Sequence, residues 1–344
     1  MSSKQDLFNQ YYTFEDRMDY EELIKNYPWI IEKNANAIVS PDSDGFLCGL
    51  LMANFLGWKI KGYYDGKILL LEKGARAKDC VFLDMDVYRS NIRSMGHHMV
   101  MFNKLRLPGS WQNFKNCIQL NNIRNYDFYK DFTLKYPLAT IHLLVGILGT
   151  IQDIEIPKSA ICPLLFTDGV WMNLFQYTEN SLNWIKFLKS EDVNNPLNKV
   201  FCNEHYSVHE MMLAMNGFLR KRDSICTPRE MGARERGDRL IISTADGPYN
   251  LDKIGKVYSI KNDAKNRAEQ FLKLLSELTK WNYKAEDWTW EDLDIRIFSK
   301  DIFSKTGRIS NRDFEQFIQS NPLSYAITSN QRIEYTLEKP DKIY

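Results

Sequence analysis

The chain has 344 residues, a formal net charge of +1, 44% hydrophobic residues and 13% aromatic residues. This composition suffices for sizeable cores, which excludes disorder over most of the chain, and a charge near zero argues against general binding to polyanions. The amino terminus has no apolar signal segment, and the longest apolar run, near residues 138–148, is too short to span a bilayer. We therefore predict a cytoplasmic protein without membrane contact. Its six cysteines form no Cys-x-x-Cys pair, so we expect reduced core residues.

Residues 1–33 are rich in tyrosine, phenylalanine, aspartate and glutamate. We expect helices that pack on the domain that follows. The aromatic side chains could also stack on nucleic-acid bases, but core packing explains this composition better.

The first pattern that indicates chemistry lies in residues 38–45, where a short apolar run ends in Asp42 and Asp44. An extended backbone alternates its side chains, so an Asp-x-Asp pair at the end of a strand projects both carboxylates to one side. That arrangement suits hard divalent cations, which prefer oxygen ligands. The other interpretation is a turn that caps the following helix, predicted over residues 46–56 with Gly57 at its end.

A second buried strand is predicted over residues 80–83, after a β-like stretch at 58–64, and it is followed by Asp84 and Asp86. For Asp86 both interpretations, a metal ligand and a helix N-cap, stay open. Ten residues further the chain reads Gly96-His97-His98. Paired histidines at the end of a strand add nitrogen ligands to the carboxylates.

A further apolar run, residues 162–166, is broken by Thr167-Asp168-Gly169. We expect it to bring another carboxylate to the edge where the strands end, because parallel strands with helical crossovers present their carboxyl ends on one side. Residues distant in sequence would then meet in one cleft.

The other histidines favour structural interpretations. His142 lies in an apolar helical run and is expected in the core. His205 and His209 are four residues apart, which places them on one helix face and could bind zinc, but the sequence offers no clear third ligand.

The segment from Arg220 to Arg239 holds seven basic and four acidic residues, and its Gly232 and Gly237 predict a loop. One interpretation is a solvated linker between domains. The other is a phosphate clamp, because arginine offers bidentate donors and a flexible loop can close over an anion. The candidate phosphate-binding residues are Arg222, Arg229, Arg234 and Arg236.

Beyond this loop we predict strands at 239–244, 256–260 and 294–298 and an amphipathic helix at 262–280. The predicted fold class is α/β, with a mainly parallel sheet flanked by helices and a smaller α+β domain behind it. The predicted boundaries are a helical extension at 1–33, a first domain at 34–200, a helix and arginine-rich loop at 201–238, and a carboxyl-terminal domain at 239–344.

Over roughly residues 34–190 this order of elements resembles the DHH phosphoesterase superfamily, which includes RecJ-type exonucleases, nanoRNases, cyclic-dinucleotide hydrolases, exopolyphosphatases and family II pyrophosphatases. The motifs that carry the resemblance are Pro41-Asp42-Ser43-Asp44-Gly45, Phe82-Leu83-Asp84, Gly96-His97-His98 and Thr167-Asp168-Gly169. Each motif is weak evidence alone, and the resemblance rests on all four occurring in the same order as in the family.

The resemblance implies a fold, a cofactor and roles for these residues. Asp84 would bridge two divalent ions, manganese or magnesium, with Asp44, His97 and Asp168 completing one site and Asp42 serving the other. His98 would face the phosphate, and His98 and Asp84 would be catalytic. Two ions can activate a shared water for in-line displacement. The implied protein is a phosphodiesterase that hydrolyses a nucleotide or short single-stranded nucleic acid, and a homo-oligomer is left open.

Two positions depart from the family pattern. Ile38 stands where most members have a histidine, which removes one ligand, and Gly96 stands where the family has the aspartate before the histidine pair. Asp86 could replace that aspartate from the neighbouring strand. A family-typical Gly-Gly-Gly-His segment in the second domain is also missing. The alternatives are therefore a small-molecule phosphatase or pyrophosphatase, and a catalytically weak nucleic-acid-binding or scaffold protein.

Overall fold

A computed structural model describes residues 16–129, 134–202, 204–226 and 237–344, and the structural statements below concern these residues. Their strands form one large mixed sheet and a separate two-stranded ribbon. The strands of the ribbon are β7 and β8, and the others belong to the sheet. In chain order the strands are β1 Asn36–Val39, β2 Lys59–Tyr64, β3 Ile68–Glu72, β4 Cys80–Leu83, β5 Arg93–Gly96, β6 Cys117–Gln119, β7 Ser243–Thr244, β8 Gly247–Pro248, β9 Leu251–Ile254, β10 Val257–Ile260, β11 Leu293–Ser304, β12 Ser324–Ser329 and β13 Arg332–Pro340.

The sheet has a parallel half and an antiparallel half, in the order β12-β13-β11-β3-β2-β1-β4-β5-β6. Strands β2, β1, β4, β5 and β6 pair in parallel, whereas β3, β11, β13 and β12 pair antiparallel. The α/β class is thus confirmed. The parallel half aligns the carboxyl ends of β1, β4 and β5, where the predicted metal ligands lie.

The sheet is continuous across the predicted boundary at residue 239. Strand β11 pairs with β3 from Leu293 opposite Glu72 to Ile297 opposite Ile68, and then with β13. The hairpin of β9 and β10 joins β11 at Tyr258. The carboxyl-terminal strands therefore extend the same sheet that carries the predicted ligands.

Helices cover the sheet and connect its strands. In chain order they are α1 Tyr20–Asn26, α2 Ser43–Leu56, α3 Leu120–Ile123, α4 Thr140–Leu148, α5 Ile161–Phe166, α6 Val170–Gln176, α7 Thr178–Phe187, α8 Asn198–Phe201, α9 Val208–Asp223, α10 Asn262–Thr279 and α11 Asn311–Ile318. None of the helices in the described ranges is long and apolar enough to cross a membrane.

Helix α2 follows β1 and ends as its sequence predicts. The Asp42 side chain caps its first turn by accepting the Gly45 N–H at 3.2 Å, and Gly57 ends it in the left-handed region with φ of 69°. Gly45 has a second role, because a Cβ there would lie 2.0 Å from the Ser40 carbonyl oxygen. Only a glycine lets the helix start this close to the strand.

Strand β1 is buried on both faces of the sheet. Ala37 and Val39 point into a large core formed with α2, α4 and α10, whereas Ile38 packs with Tyr64 and Phe82 on the opposite face. Continuous apolar runs are typical of such central parallel strands. Ile38 is fully buried in this second cluster, and its aliphatic side chain offers no metal ligand.

Four further elements can be compared with the sequence predictions. The amphipathic helix predicted at 262–280 is α10, and the strand predicted at 294–298 lies within the longer β11. The strand predicted at 239–244 is reduced to Ser243–Thr244. The apolar run at 162–166 forms helix α5, so the expectation of strand-like context there is wrong. An apolar run without alternation does not distinguish a buried strand from a buried helix.

Candidate metal site

Asp42 and Asp44 stand at the start of α2, at the carboxyl end of β1. Asp44 is fully buried, and its carboxylate accepts the N–H groups of Thr140 at 2.7 Å and Ile141 at 3.0 Å. The first turn of α4 thus holds Asp44 through its free N–H groups. Asp42 is half-buried; it caps α2, as the turn interpretation predicts, and it also lines the cleft described below.

Asp84 follows β4 with its side chain 1% exposed. Its backbone is in the left-handed region, with φ of 61°, which aspartate tolerates better than most residues. The Thr140 hydroxyl donates a hydrogen bond to Asp84 Oδ1 at 2.8 Å.

His97 and His98 form a turn directly after β5, with their ring centroids 4.2 Å apart. His97 Nε2 lies 3.4 Å from Asp168 Oδ2, and His98 Nε2 lies 3.8 Å from Asp84 Oδ1. The side chain of His97 is 12% exposed and that of His98 is 44% exposed. One imidazole is therefore enclosed by the carboxylates, and the other is open to solvent.

Asp86 is not aimed at the carboxylates. Its buried side chain accepts the backbone N–H groups of His98 and Met99, each at 2.7 Å. Burial raises the pKa of Asp86 to about 6, and these N–H groups oppose that rise. The interpretation of Asp86 as a helix N-cap is wrong, because no helix begins there.

Asp168 reaches the group from a turn between two helices rather than from a strand. The turn Thr167–Gly169 joins α5 to α6, and two successive residues in it, Asp168 and Gly169, have positive φ values of 51° and 67°. The buried Thr167 hydroxyl is 2.9 Å from the Ser43 hydroxyl and thereby ties this turn to α2. The predicted convergence of Asp168 with Asp44 and Asp84 is thus reached by a different element.

Thr140 is a central residue that the sequence interpretation missed. Its Oγ1 donates to Asp84 Oδ1 and lies 2.9 Å from His97 Nδ1. A hydroxyl has one proton, so Thr140 must accept from His97, whose proton is then on Nδ1. His97 Nε2 consequently presents its lone pair toward Asp168. In the sequence Thr140 is only a threonine at the start of a helix, and no neighbouring residue indicates its contact with the aspartates.

The ligand atoms of Asp44, Asp84, His97 and Asp168 all lie within 4.8 Å of one another. A second group, which shares two members, combines Asp84 and His97 with His98. Two ligands about 2.1 Å from one cation lie roughly 3.0 to 3.4 Å apart, which matches the separation of His97 Nε2 from Asp168 Oδ2. Asp42 belongs to neither group within the described residues.

The electrostatics of this group favour a cation. Burial and the neighbouring carboxylates raise the pKa values of Asp44, Asp84 and Asp168 above the ordinary value of 3.8, and Asp42 adds to the repulsion. Burial lowers the pKa of His97, which keeps it neutral. Three clustered carboxylates and a neutral imidazole fit a divalent ion, and the oxygen-rich set suits manganese or magnesium.

A cleft of about 440 Å³ opens beside the group and is lined by Asp42 and His98. Its other wall comes from the antiparallel half of the sheet and includes Lys300 and Tyr335. Arg239 also lines it, and the N–H of the following residue, Leu240, donates to the Pro41 carbonyl at 2.8 Å.

Arg239 and Lys300 are cations that the sequence interpretation did not assign to a site. Both are exposed, and neither has an ion-pair partner in the part of the chain that the structure describes. Burial and the neighbouring carboxylates raise the pKa of Asp168, and the charge of Arg239 opposes that rise, which places Arg239 near the carboxylates.

The arginines predicted as a phosphate clamp take no part in this cleft as far as they are described. Arg222 lies in the last turn of α9, forms an ion pair with Asp223 at 2.5 Å and lies over the ring of Phe166 at 5.1 Å. Arg229, Arg234 and Arg236 fall outside the described residues.

The remaining histidines lie outside the two metal groups. His142 is buried in α4, where its Nδ1 accepts the Ala139 N–H at 3.2 Å, as expected for a core residue. His205 and His209 are exposed, and the metal groups found among the described residues include neither.

No protein-family model, no curated protein and no solved structure matches this chain. The arguments for a function therefore come from the geometry of the site.

Proposed function

We propose that this chain is a divalent-metal-dependent phosphoesterase of DHH type, and that it is a phosphodiesterase acting on a nucleotide or short single-stranded nucleic acid. The observation that carries the proposal is the group of Asp44, Asp84, His97 and Asp168, whose ligand atoms meet beside the carboxyl ends of parallel strands. Asp44 and Asp84 are buried, His97 is half-buried and Asp168 is exposed. Structural proteins have little reason to bury two neighbouring carboxylates, Asp44 and Asp84, without compensating charge, because each carries a large desolvation cost.

Manganese or magnesium would be held by this group, with a second ion near Asp84 and His98. The second group is the weaker one, because Thr140 occupies His97 Nδ1 and His98 is 44% exposed. When bound, such ions lower the pKa of water and stabilise charge on phosphoryl oxygens. The buried Ile38 supplies no further ligand, which agrees with one strong and one weak site.

The chain itself supplies orientation and charge. Thr140 fixes the tautomer of His97 and the position of Asp84, and the backbone of α4 holds Asp44. His98 faces the cleft, where a phosphate would meet it. Arg239 and Lys300 supply positive charge to the phosphoryl oxygens.

The charge of the cleft favours a diester over pyrophosphate. Its lining contains Arg239 and Lys300 as the fixed cations, together with the carboxylates of Asp65 and Glu334 away from the metal groups. A diester carries one negative charge for each phosphate, whereas pyrophosphate concentrates several charges on one small molecule. Carboxylates in the wall would repel pyrophosphate and could accept hydrogen bonds from sugar hydroxyls.

The test is a substrate screen with the purified full chain in Mn²⁺. The substrates are single-stranded DNA, short RNA, cyclic dinucleotides and pyrophosphate, and the readout is release of nucleoside monophosphate against free phosphate. We expect nucleoside monophosphate from a diester substrate, and we expect Asp84→Asn to abolish the reaction.

Other outcomes contradict the proposal in distinct ways. Free phosphate from pyrophosphate would show a small-molecule phosphatase. Inert wild type that still binds nucleic acid would show a scaffold on a degenerate site. Equal activity in wild type and Asp84→Asn would show that the metal group is wrongly assigned.

A further inference from the structure

The buried carboxylate of Asp86 holds the turn that carries His97 and His98. Asp86 is 2% exposed, and one of its oxygens, Oδ2, accepts the N–H groups of both His98 and Met99. These are successive amides of the turn, so a single oxygen fixes the peptide plane on each side of His98. Hydrogen bonds to an ionised acceptor are stronger than those between neutral groups.

The other oxygen of Asp86 explains the glycine at the end of β5. A Cβ built on Gly96 would lie 2.7 Å from Asp86 Oδ1 and 3.1 Å from the Asp86 backbone nitrogen. Gly96 is not among the glycines with positive φ, so space rather than backbone conformation requires it. Asp86 and Gly96 are therefore complementary: the carboxylate fills the volume that a side chain at position 96 would occupy.

The side chain of His98 has no comparable anchor. Its Nε2 lies 3.8 Å from Asp84 Oδ1, its ring lies 4.2 Å from the ring of His97, and no side-chain hydrogen bond holds it within the described residues. Nearly half of the side chain is exposed. His97, by contrast, is held by Thr140. The position of His98 is thus set by its backbone, and its backbone is set by Asp86.

We propose that Asp86 is a positioning residue that places His98 beside Asp84 and the cleft, and that Gly96 is required to leave room for it. The inference rests on the proposed function, since it assigns His98 a role in metal or phosphate binding. Asp86 borders the cleft, but its side chain is buried and belongs to neither metal group, and we infer that it acts through His98.

The test is a double-mutant cycle on Mn²⁺ binding, measured by titration calorimetry on the full chain. Asp86→Ala is expected to lower the affinity of the weaker site by about 10- to 100-fold, as for other residues that orient ligands. His98→Ala should weaken the same site by at least the same factor. In the His98→Ala background, Asp86→Ala should have no further effect, because it acts only through that side chain.

Two further variants separate positioning from general destabilisation. Asp86→Asn retains an oxygen that can accept both N–H groups, so it should restore the affinity to within about threefold of wild type. Gly96→Ala should reproduce the loss of Asp86→Ala, because its methyl group displaces the carboxylate. The matched control is Asp127→Ala, another buried carboxylate that accepts a backbone N–H, from Lys104, and it should leave Mn²⁺ affinity unchanged.

Failure of this inference is distinct from failure of the proposed function. Wild type that binds no Mn²⁺ would contradict the metal site itself. Wild type that binds two ions while Asp86→Ala binds them equally well would contradict only the positioning role. An additive loss in the His98→Ala background would likewise show that Asp86 is merely structural.

Discussion

Two groups of charged side chains in this fold differ in how far the protein compensates their charge. The guanidinium of Arg89 is surrounded by acceptors: Glu338 at 2.8 Å and the carbonyl oxygens of Tyr88, Pro322 and Asn321 at 2.6 to 3.0 Å. The carboxylates of Asp44, Asp84 and Asp168 instead face one another.

The difference indicates what each group does. Protein atoms neutralise Arg89 completely, so it stabilises the packing of the carboxyl-terminal strand on the loop after β4. The acidic group receives N–H and hydroxyl hydrogen bonds but little positive charge, and the pKa values of its carboxyls are raised accordingly. A group that the protein leaves uncompensated is one that an ion can complete.

The largest expected effect is that of Asp84→Asn, which is nearly isosteric and tolerates the positive φ at this position. We expect Mn²⁺ affinity to fall by more than about 100-fold, since a shared ligand is lost. The melting temperature of the metal-free protein should rise, because carboxylate repulsion decreases. Calorimetry and thermal denaturation measure the two effects, and a lower melting temperature without metal would contradict the repulsion.

Arg89→Met tests the charged group that the protein itself compensates. Removing one partner of a buried ion pair leaves Glu338 and several carbonyl groups without compensation, which should cost about 3 to 5 kcal/mol of unfolding free energy. Mn²⁺ affinity should stay within about twofold of wild type. Urea denaturation and a metal titration check this, and parallel losses of stability and metal affinity would show that the two regions are coupled.

Thr140→Val removes one hydroxyl and preserves the shape of the side chain. It should weaken Mn²⁺ binding by about 10- to 100-fold, because Asp84 and the tautomer of His97 lose their common partner. Thr279→Val is the matched control, since the buried Thr279 hydroxyl donates to the Leu275 carbonyl in α10, far along the chain from the ligands. Equal metal affinities for the two variants would refute the role of Thr140.

The smallest effect is a gradual dependence on pH. The pKa values of Asp44, Asp84 and Asp168 are raised in the folded state above 3.8, so their contribution to stability is present at low pH and is lost as pH rises through the raised values. The metal-free protein should therefore melt at lower temperature as pH increases above 4, relative to Asp84→Asn. Mn²⁺ should reverse this trend, with affinity that increases with pH and protons released on binding. Melting curves across pH with and without Mn²⁺ measure both, and proton uptake on binding would contradict the sign.

Local sequence signals predicted much of the site. Asp42 at the start of α2 and Gly57 at its end follow from capping and glycine preferences within a few residues, and Asp84 follows a short apolar run that becomes a strand. His97 was singled out by the histidine pair itself, since the strand before it, β5, is not an apolar run. Asp168 reaches the group although its element was predicted wrongly, because the turn rather than the preceding run determines where it points.

The sequence by itself determined which residues could bind a metal and in what order they occur, because ligand chemistry and turn preferences are local properties. Tertiary structure alone decided that Thr140 links two ligands, that Arg239 and Lys300 line the cleft, and that Asp86 fills the space beside Gly96. These relations depend on contacts between residues that are ten to hundreds of positions apart and lie on different elements, and a one-residue change in strand register would abolish them.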